Sequence, residues 1–169
     1  FSMAEIGCYD EIEENADTIE GNASLKSRYI WNKYGRNCFA DDTGLLIDAL
    51  NGRPGVKSAR YAGDDCVAEN NIQKVLKELE QVTERKARFK TVISLIISGK
   101  EIQFEGVVEG SILNEKRGND GFGYDPVFMP EGYEKSFAEM SSGEKNRISH
   151  RARATQKLID FLKHSASFR

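Results

Sequence analysis

The sequence predicts an α/β fold, a mixed β-sheet with flanking helices, contained in a single domain over residues 1–169. Three observations predict it. Apolar residues recur at helical spacing near the start, in the middle and at the end of the chain. The run Arg88 to Ser98 is rich in Val and Ile with apolar residues at both parities, the pattern of a strand covered on both faces. Immediately after it, Gly99-Lys100 reads as a turn and Ile102, Phe104 and Val108 alternate with polar neighbours, which makes an antiparallel hairpin. A hairpin at the centre excludes a doubly wound parallel sheet.

Composition agrees with a folded chain. The 169 residues carry 24 Lys+Arg against 27 Asp+Glu, a formal charge of −3, with 39% apolar residues and only 3 prolines. That is enough chain to bury a core and too apolar to be disordered. The slight acidity, without a block of Lys or Arg, argues against a nucleic-acid partner. The longest apolar stretch, Val92 to Ile97, is too short to cross a bilayer, and no signal-peptide pattern opens the chain. Cys8, Cys38 and Cys66 are odd in number and form no CxxC pair, which speaks against a disulfide framework or a thiolate zinc site and makes a reducing cytoplasm the default.

Taken in order, Phe1 to Asn15 is acidic and irregular and reads as a loop. Asp17 with Glu20 has capping-box form, Ile19, Ala23, Ile30 and Tyr34 follow helical spacing, and Gly35 supplies a stop. Asn37 to Ala40 is a short strand emptying into the polar turn Asp41-Asp42-Thr43-Gly44. Asn51 to Gly55 is a loop. Ile72, Val75, Leu76 and Leu79 define one face of a second helix. After the hairpin, Arg117 to Pro126 (RGNDGFGYDP) is a glycine-dense loop, and Val127-Phe128 resumes a sheet. The last helix starts at about Ser149 with Ala152, Thr155, Ile159 and Leu162 as its buried stripe.

Three constellations could carry chemistry. Adjacent carboxylates Asp41 and Asp42 offer hard oxygen ligands for Mg²⁺ and a base for water, one facing a cleft and the other orienting the loop; the competing reading is a plain capping turn. In RGNDGFGYDP, Phe122 and Tyr124 could present flat faces to a base, Gly123 permits close backbone approach, and Asp125, fixed before Pro126, could accept from a ring N–H; the alternative is a hairpin loop with its aromatics tucked into the core. Lys145, Ser149, His150 and Arg151 form the third, with cations suited to phosphate or carbonyl oxygens. His150 could donate to a ligand oxygen, but on its own it reads more readily as a helix cap. Lys26 and Arg28 lie on the polar side of the first helix. An acidic residue among Glu11, Glu13 and Glu14 could complete a metal site with Asp42. Neither a P-loop, a dinucleotide fingerprint nor a GxSxG elbow occurs.

In this order, EENADTIEGNASLKSRY, CFADDTGLLIDALNGRPGVKSARYAG, RGNDGFGYDPVF and EKNRISHRARA make the chain similar to the inosine triphosphate pyrophosphatase family, the non-canonical purine nucleoside triphosphate pyrophosphatases. The resemblance spans essentially the whole chain. It implies an elongated mixed α/β fold with two lobes around a cleft, a cytoplasmic homodimer, and Mg²⁺-dependent hydrolysis of ITP, dITP and XTP to the monophosphate and pyrophosphate. Carried over by position, it implies Asp42 as general base and metal ligand, Glu14 as the second metal carboxylate with Glu20 as its rival, and Thr43 as a substrate contact. It further implies Lys26 and Lys145 on the phosphates, Phe122, Gly123, Tyr124 and Asp125 as the base-binding loop, and His150 with Arg151 reading the purine keto groups. The family pattern also has a strand and a Ser/Thr-x-Asn-x-x-Lys phosphate loop ahead of the position of Phe1. With every later motif in place, the expectation is a native chain extending further at its N-terminus. Two other activities remain open at this point, a nucleotide sensor that does not cleave and a Maf-like pyrophosphatase preferring modified pyrimidines.

Overall fold

The computed structural model describes residues 2–166; Phe1 and residues 167–169, which the single-domain expectation includes, lie outside the described residues. Helix α1 (Ile19–Tyr34) is followed by strand β1 (Cys38–Ile47), helix α2 (Ala68–Glu78), the long strands β2 (Lys86–Ile97) and β3 (Lys100–Ile112), the short strand β4 (Phe128–Pro130), and helices α3 (Ser142–Ile148) and α4 (His150–Ala166). The strands lie in the order β1-β2-β3-β4, and every pair is antiparallel. The α/β class with helices on both faces is therefore as expected, and among the described residues no parallel pair occurs.

The hairpin turns at Ser98-Gly99, one residue earlier than the sequence suggested. Ile97 pairs Lys100, and both loop residues take positive φ (50° and 78°), the twist that a two-residue hairpin requires. Helix α1 is capped by Thr18, whose Oγ1 accepts from the Gly21 N–H at 3.0 Å, not by Asp17. The expected capping partner, Glu20, instead reaches Lys90 on β2 at 2.5 Å. Gly35 ends the helix, its N–H bonding Trp31 O.

Two further expectations change. Asp41-Asp42-Thr43-Gly44 is not a turn: it lies inside β1, paired residue for residue with Val92, Ile93 and their neighbours on β2. The polar residues are accommodated because the strand is only half covered along this stretch. In α4 the buried stripe is Ala154 and Leu158, with Phe161 beside them, while Ile159 and Leu162 are exposed. The helix begins one residue later than Ser149, directly after α3, and the side packed on Ile93 and Leu95 of β2 is the one that is covered. Helix α3 itself escaped the sequence reading although Ser141 and Glu144 form a reciprocal capping box.

Strand alternation divides the core. Even-numbered Val92 faces α1 and packs on Ile19 and Ala23, whereas odd-numbered Ile93 and Leu95 face α4 and pack on Ala154 and Leu158. Further along, Leu45, Ile47, Phe89 and Val108 join Ile72, Val75 and Leu79 of α2 with Phe128 and Phe137 in the largest apolar cluster. Each such fully buried side chain contributes about 1.5–3 kcal/mol relative to exposure. On the α4 face the apolar surface is interrupted at Thr43 and Thr91, whose hydroxyls share a hydrogen bond of 2.7 Å. That interruption separates the two apolar clusters on this face of the sheet. Among the described residues no helix is long and apolar enough to cross a membrane.

Candidate functional site

The carboxylate end of the site is assembled on the α1 face of β1. Asn22, fully buried, accepts the Ala16 N–H at 3.0 Å and so ties the irregular segment bearing Glu14 to the first turns of α1. Lys26 lies one turn beyond Asn22 on the same face of the helix. Asp42, an even residue of β1, points to that face. The Lys26 ammonium donates to both carboxylates, 2.9 Å to Glu14 Oε1 and 3.0 Å to Asp42 Oδ1. Arg60 stands 3.8 Å from Glu14 Oε2. Glu20, committed to Lys90, is not part of this group.

Burial raises the pKa of Asp42 above the ordinary aspartate range, and Glu14's charge adds to that; the Lys26 ammonium opposes it without cancelling it. Burial also works against the Lys26 charge, but Glu14 and Asp42 outweigh it and the ammonium is held more firmly protonated. Asp42 Oδ2 is buried without a hydrogen bond of ordinary length, and the Asn22 amide, whose Nδ2 is likewise unpartnered, lies near enough to favour the Asp42 charge slightly. A carboxylate of raised basicity beside a fixed ammonium suits both proton abstraction from water and ligation of a hard cation. Among the described residues no cluster of three metal-ligating side chains occurs. Glu14 and Asp42 are the pair that could hold a divalent ion.

The other end lies on the α4 face. A cavity of about 180 Å³ is lined by Thr43, Ser58, Phe89, Phe122, Gly123, Tyr124, Asp125, His150 and Arg151 among others. Its floor is a tight loop. Asp125 Oδ2 accepts the Phe122 N–H at 2.7 Å and also takes Lys145, and a Cβ at Gly121 (φ 82°) would lie 2.2 Å from that same oxygen, so only glycine lets the loop close. Lys145 is therefore paired inside the base-side loop, its ammonium 4.5 Å from the Phe122 ring centroid. Phe122 is 65% exposed and offers an open ring face, whereas Tyr124 is core: its hydroxyl donates to Ser58 O at 2.8 Å.

His150 is buried and stacks on Phe89 with centroids 4.7 Å apart and planes at 18°. Its Nδ1 is buried without a partner. Burial, then the positive charges of Arg151 and Lys145, push its pKa down to about 3, so the ring is neutral at working pH. The unfolded chain binds a proton at this histidine below its ordinary value and the folded chain does not, so stability falls as pH drops. Between about pH 7 and about pH 5 this one group should cost about 2 kcal/mol. Urea unfolding of the wild type and of His150→Gln at the two pH values should show the acid-side loss smaller by that amount in the variant.

The two ends meet at consecutive residues of β1: Asp42 faces Lys26 and Glu14, and Thr43 lines the cavity with the Phe122 to Asp125 loop, His150 and Arg151. The structure also recruits side chains that sequence reasoning passed over. Asn22 and Ser58 look like ordinary polar residues in sequence, but both are pinned in place, Ser58 by accepting from Leu45 N–H at 2.9 Å and donating to Gly55 O at 2.6 Å. Phe89 read only as strand core. A polar residue on the buried face of α1, Asn22, was the one usable signal.

Comparison with known proteins identifies the family. A model of the Ham1 family matches residues 1–161. A protein of Flavobacterium psychrophilum named dITP/XTP pyrophosphatase is 55% identical over 163 residues, covering 96% of this chain and 86% of its own length. One of Thermoanaerobacter pseudethanolicus with the same name is 50% identical over 164 residues, covering 96% and 83%. The solved structure of the Staphylococcus aureus Ham1 protein superposes with a TM-score of 0.93 at 40% identity, covering 96% of this chain and 85% of that one. With a family model matched along nearly its whole length and an architecture shared with solved members, the chain belongs to the Ham1 family.

Proposed function

We propose that this protein hydrolyses dITP, XTP and ITP at the α–β phosphate bond, releasing the nucleoside monophosphate and pyrophosphate with the help of Mg²⁺. One observation carries the reading: Lys26 draws Glu14 and Asp42 together, leaving a buried Asp42 oxygen, without a hydrogen bond of ordinary length, one residue from the strand position that lines the nucleobase-sized cavity. The names of its relatives support the substrate class.

Mg²⁺ commonly binds through one or two carboxylates together with substrate phosphates and water, and here it would be held by Glu14 and Asp42, where it supplies neutralisation of phosphate charge. Asp42 Oδ2 takes a proton from water as that water adds to the α-phosphorus. The α–β bridging oxygen departs with the pyrophosphate, and Lys26 offsets its growing negative charge. At the far end, Phe122 stacks on the base, and Arg151 donates toward the keto oxygen. Adenine would present an amino donor there, leaving two donors facing each other unsatisfied, which is how a hydrogen-bonding pocket rejects an analogue.

Pyrophosphate release measured with dITP, XTP, dGTP, dATP and a modified pyrimidine triphosphate tests this. Release from dITP and XTP is expected to exceed that from dATP by about 10²-fold or more in kcat/KM. Binding of dITP without release would point to a sensor, and a preference for the pyrimidine would point to the Maf-like activity.

A further inference from the structure

We propose that Asp41 is the positioning residue for base recognition, holding the Arg151 guanidinium over the cavity so that its remaining N–H groups meet the keto edge of a purine. The inference rests on the assignment of Arg151 to the base made above, and extends it to a residue of β1 that meets Arg151 from outside the cavity lining.

Arg151 Nη2 and Asp41 Oδ2 lie 3.1 Å apart although the residues are 110 positions apart in the chain. The contact exists because Asp41 sits on the odd face of β1. Ile93, the β2 partner of Asp41, packs on Ala154 and Leu158 and so turns that face toward α4, and Arg151 stands in the first turn of α4. A cation at a helix N-terminus opposes the helix dipole, and the first turn of α4 contains no acidic residue to compensate. No acidic residue of that turn therefore steadies the guanidinium; the Asp41 carboxylate on β1 does. Both side chains are substantially exposed, 51% for Arg151 and 38% for Asp41, so the pair adds little to the stability of the fold. What it does supply is orientation. One nitrogen of a planar fork is engaged, and the direction of the others is thereby restricted. Asp41 and Asp42 thus do different work from neighbouring positions, one facing the base reader and the other the water.

The test compares kcat and KM for dITP and dATP in wild type, Asp41→Asn, Asp41→Glu, Arg151→Lys and the Asp41→Asn/Arg151→Lys double variant. The two substrates carry the same triphosphate and sugar, so the ratio of their kcat/KM values cancels whatever Asp41 does to the phosphate end. Asp41→Asn is expected to raise KM for dITP about five- to tenfold with kcat within about twofold, and to lower the dITP/dATP ratio by a similar factor. Asp41→Glu should recover most of the ratio. In the Arg151→Lys background Asp41→Asn should change the ratio no further, the mark of two residues acting as one unit. An unchanged ratio, a lower KM for dITP, or an undiminished effect of Asp41→Asn in the double variant would overturn the assignment. A wild-type protein that does not favour dITP over dATP would instead refute the base-site reading on which it stands.

Discussion

Asp42→Asn is expected to lower kcat for dITP hydrolysis by about 10²–10⁴-fold, the range spanned by removal of a general base, with the fold retained. Asparagine keeps the shape and an oxygen that can still accept from Lys26, but its amide cannot take a proton from water. The carboxylate is held in the folded protein against the pull of burial, so removing its charge relieves a cost at the same time as it removes an ion pair. Thermal unfolding should consequently move by only a few degrees while pyrophosphate release collapses. Near-wild-type turnover in this variant would remove Asp42 from the mechanism, whatever the state of the base cavity.

Gly106→Ala is expected to be the most damaging small substitution in the sheet. A Cβ there would lie 2.0 Å from the His150 carbonyl oxygen and 2.5 Å from the Ala154 nitrogen, both backbone atoms of α4. No rotamer change relieves such a contact; the helix must lift or the strand must bend. Overpacking of this kind costs about 3 kcal/mol. For a chain of this length that is about 6–12 °C in Tm. Because the displaced turn carries His150 and Arg151, selectivity for dITP over dATP should decline together with stability. Gly143→Ala in α3 is the matched control: nothing lies within 4 Å of its added methyl, and alanine is the better helix former, so that variant should be neutral or slightly more stable. Comparable melting curves for the two variants would show that α4 does not need the close approach to β3.

Much of the fold was legible because its signals are local. Alternation and turn chemistry exposed the β2–β3 hairpin, and helical spacing exposed α1 and α2. Errors fell where a neighbour decides the outcome. Asp41 to Gly44 has the composition of a turn, yet partner strand β2 supplies a complete ladder of hydrogen bonds and holds it extended. The α4 stripe was misplaced because Ile159 and Leu162 are as apolar as Leu158, and only the position of the sheet determines which side of the helix is covered.

The site divides in the same way. Sequence by itself established which residue types are present and in what order: the acidic segment with Glu14, the paired aspartates, the FGYD loop, and the His150-Arg151 step, together with the family these resemble. Tertiary structure alone decided the pairings. It brought Lys26 between Glu14 and Asp42 and sent Glu20 to Lys90. It turned Lys145 onto Asp125, buried Tyr124, and set Asp41 against Arg151. The physical reason is range: propensity and periodicity act over a few residues, whereas an ion pair or a buried carboxylate depends on groups that only folding brings within 3 or 4 Å.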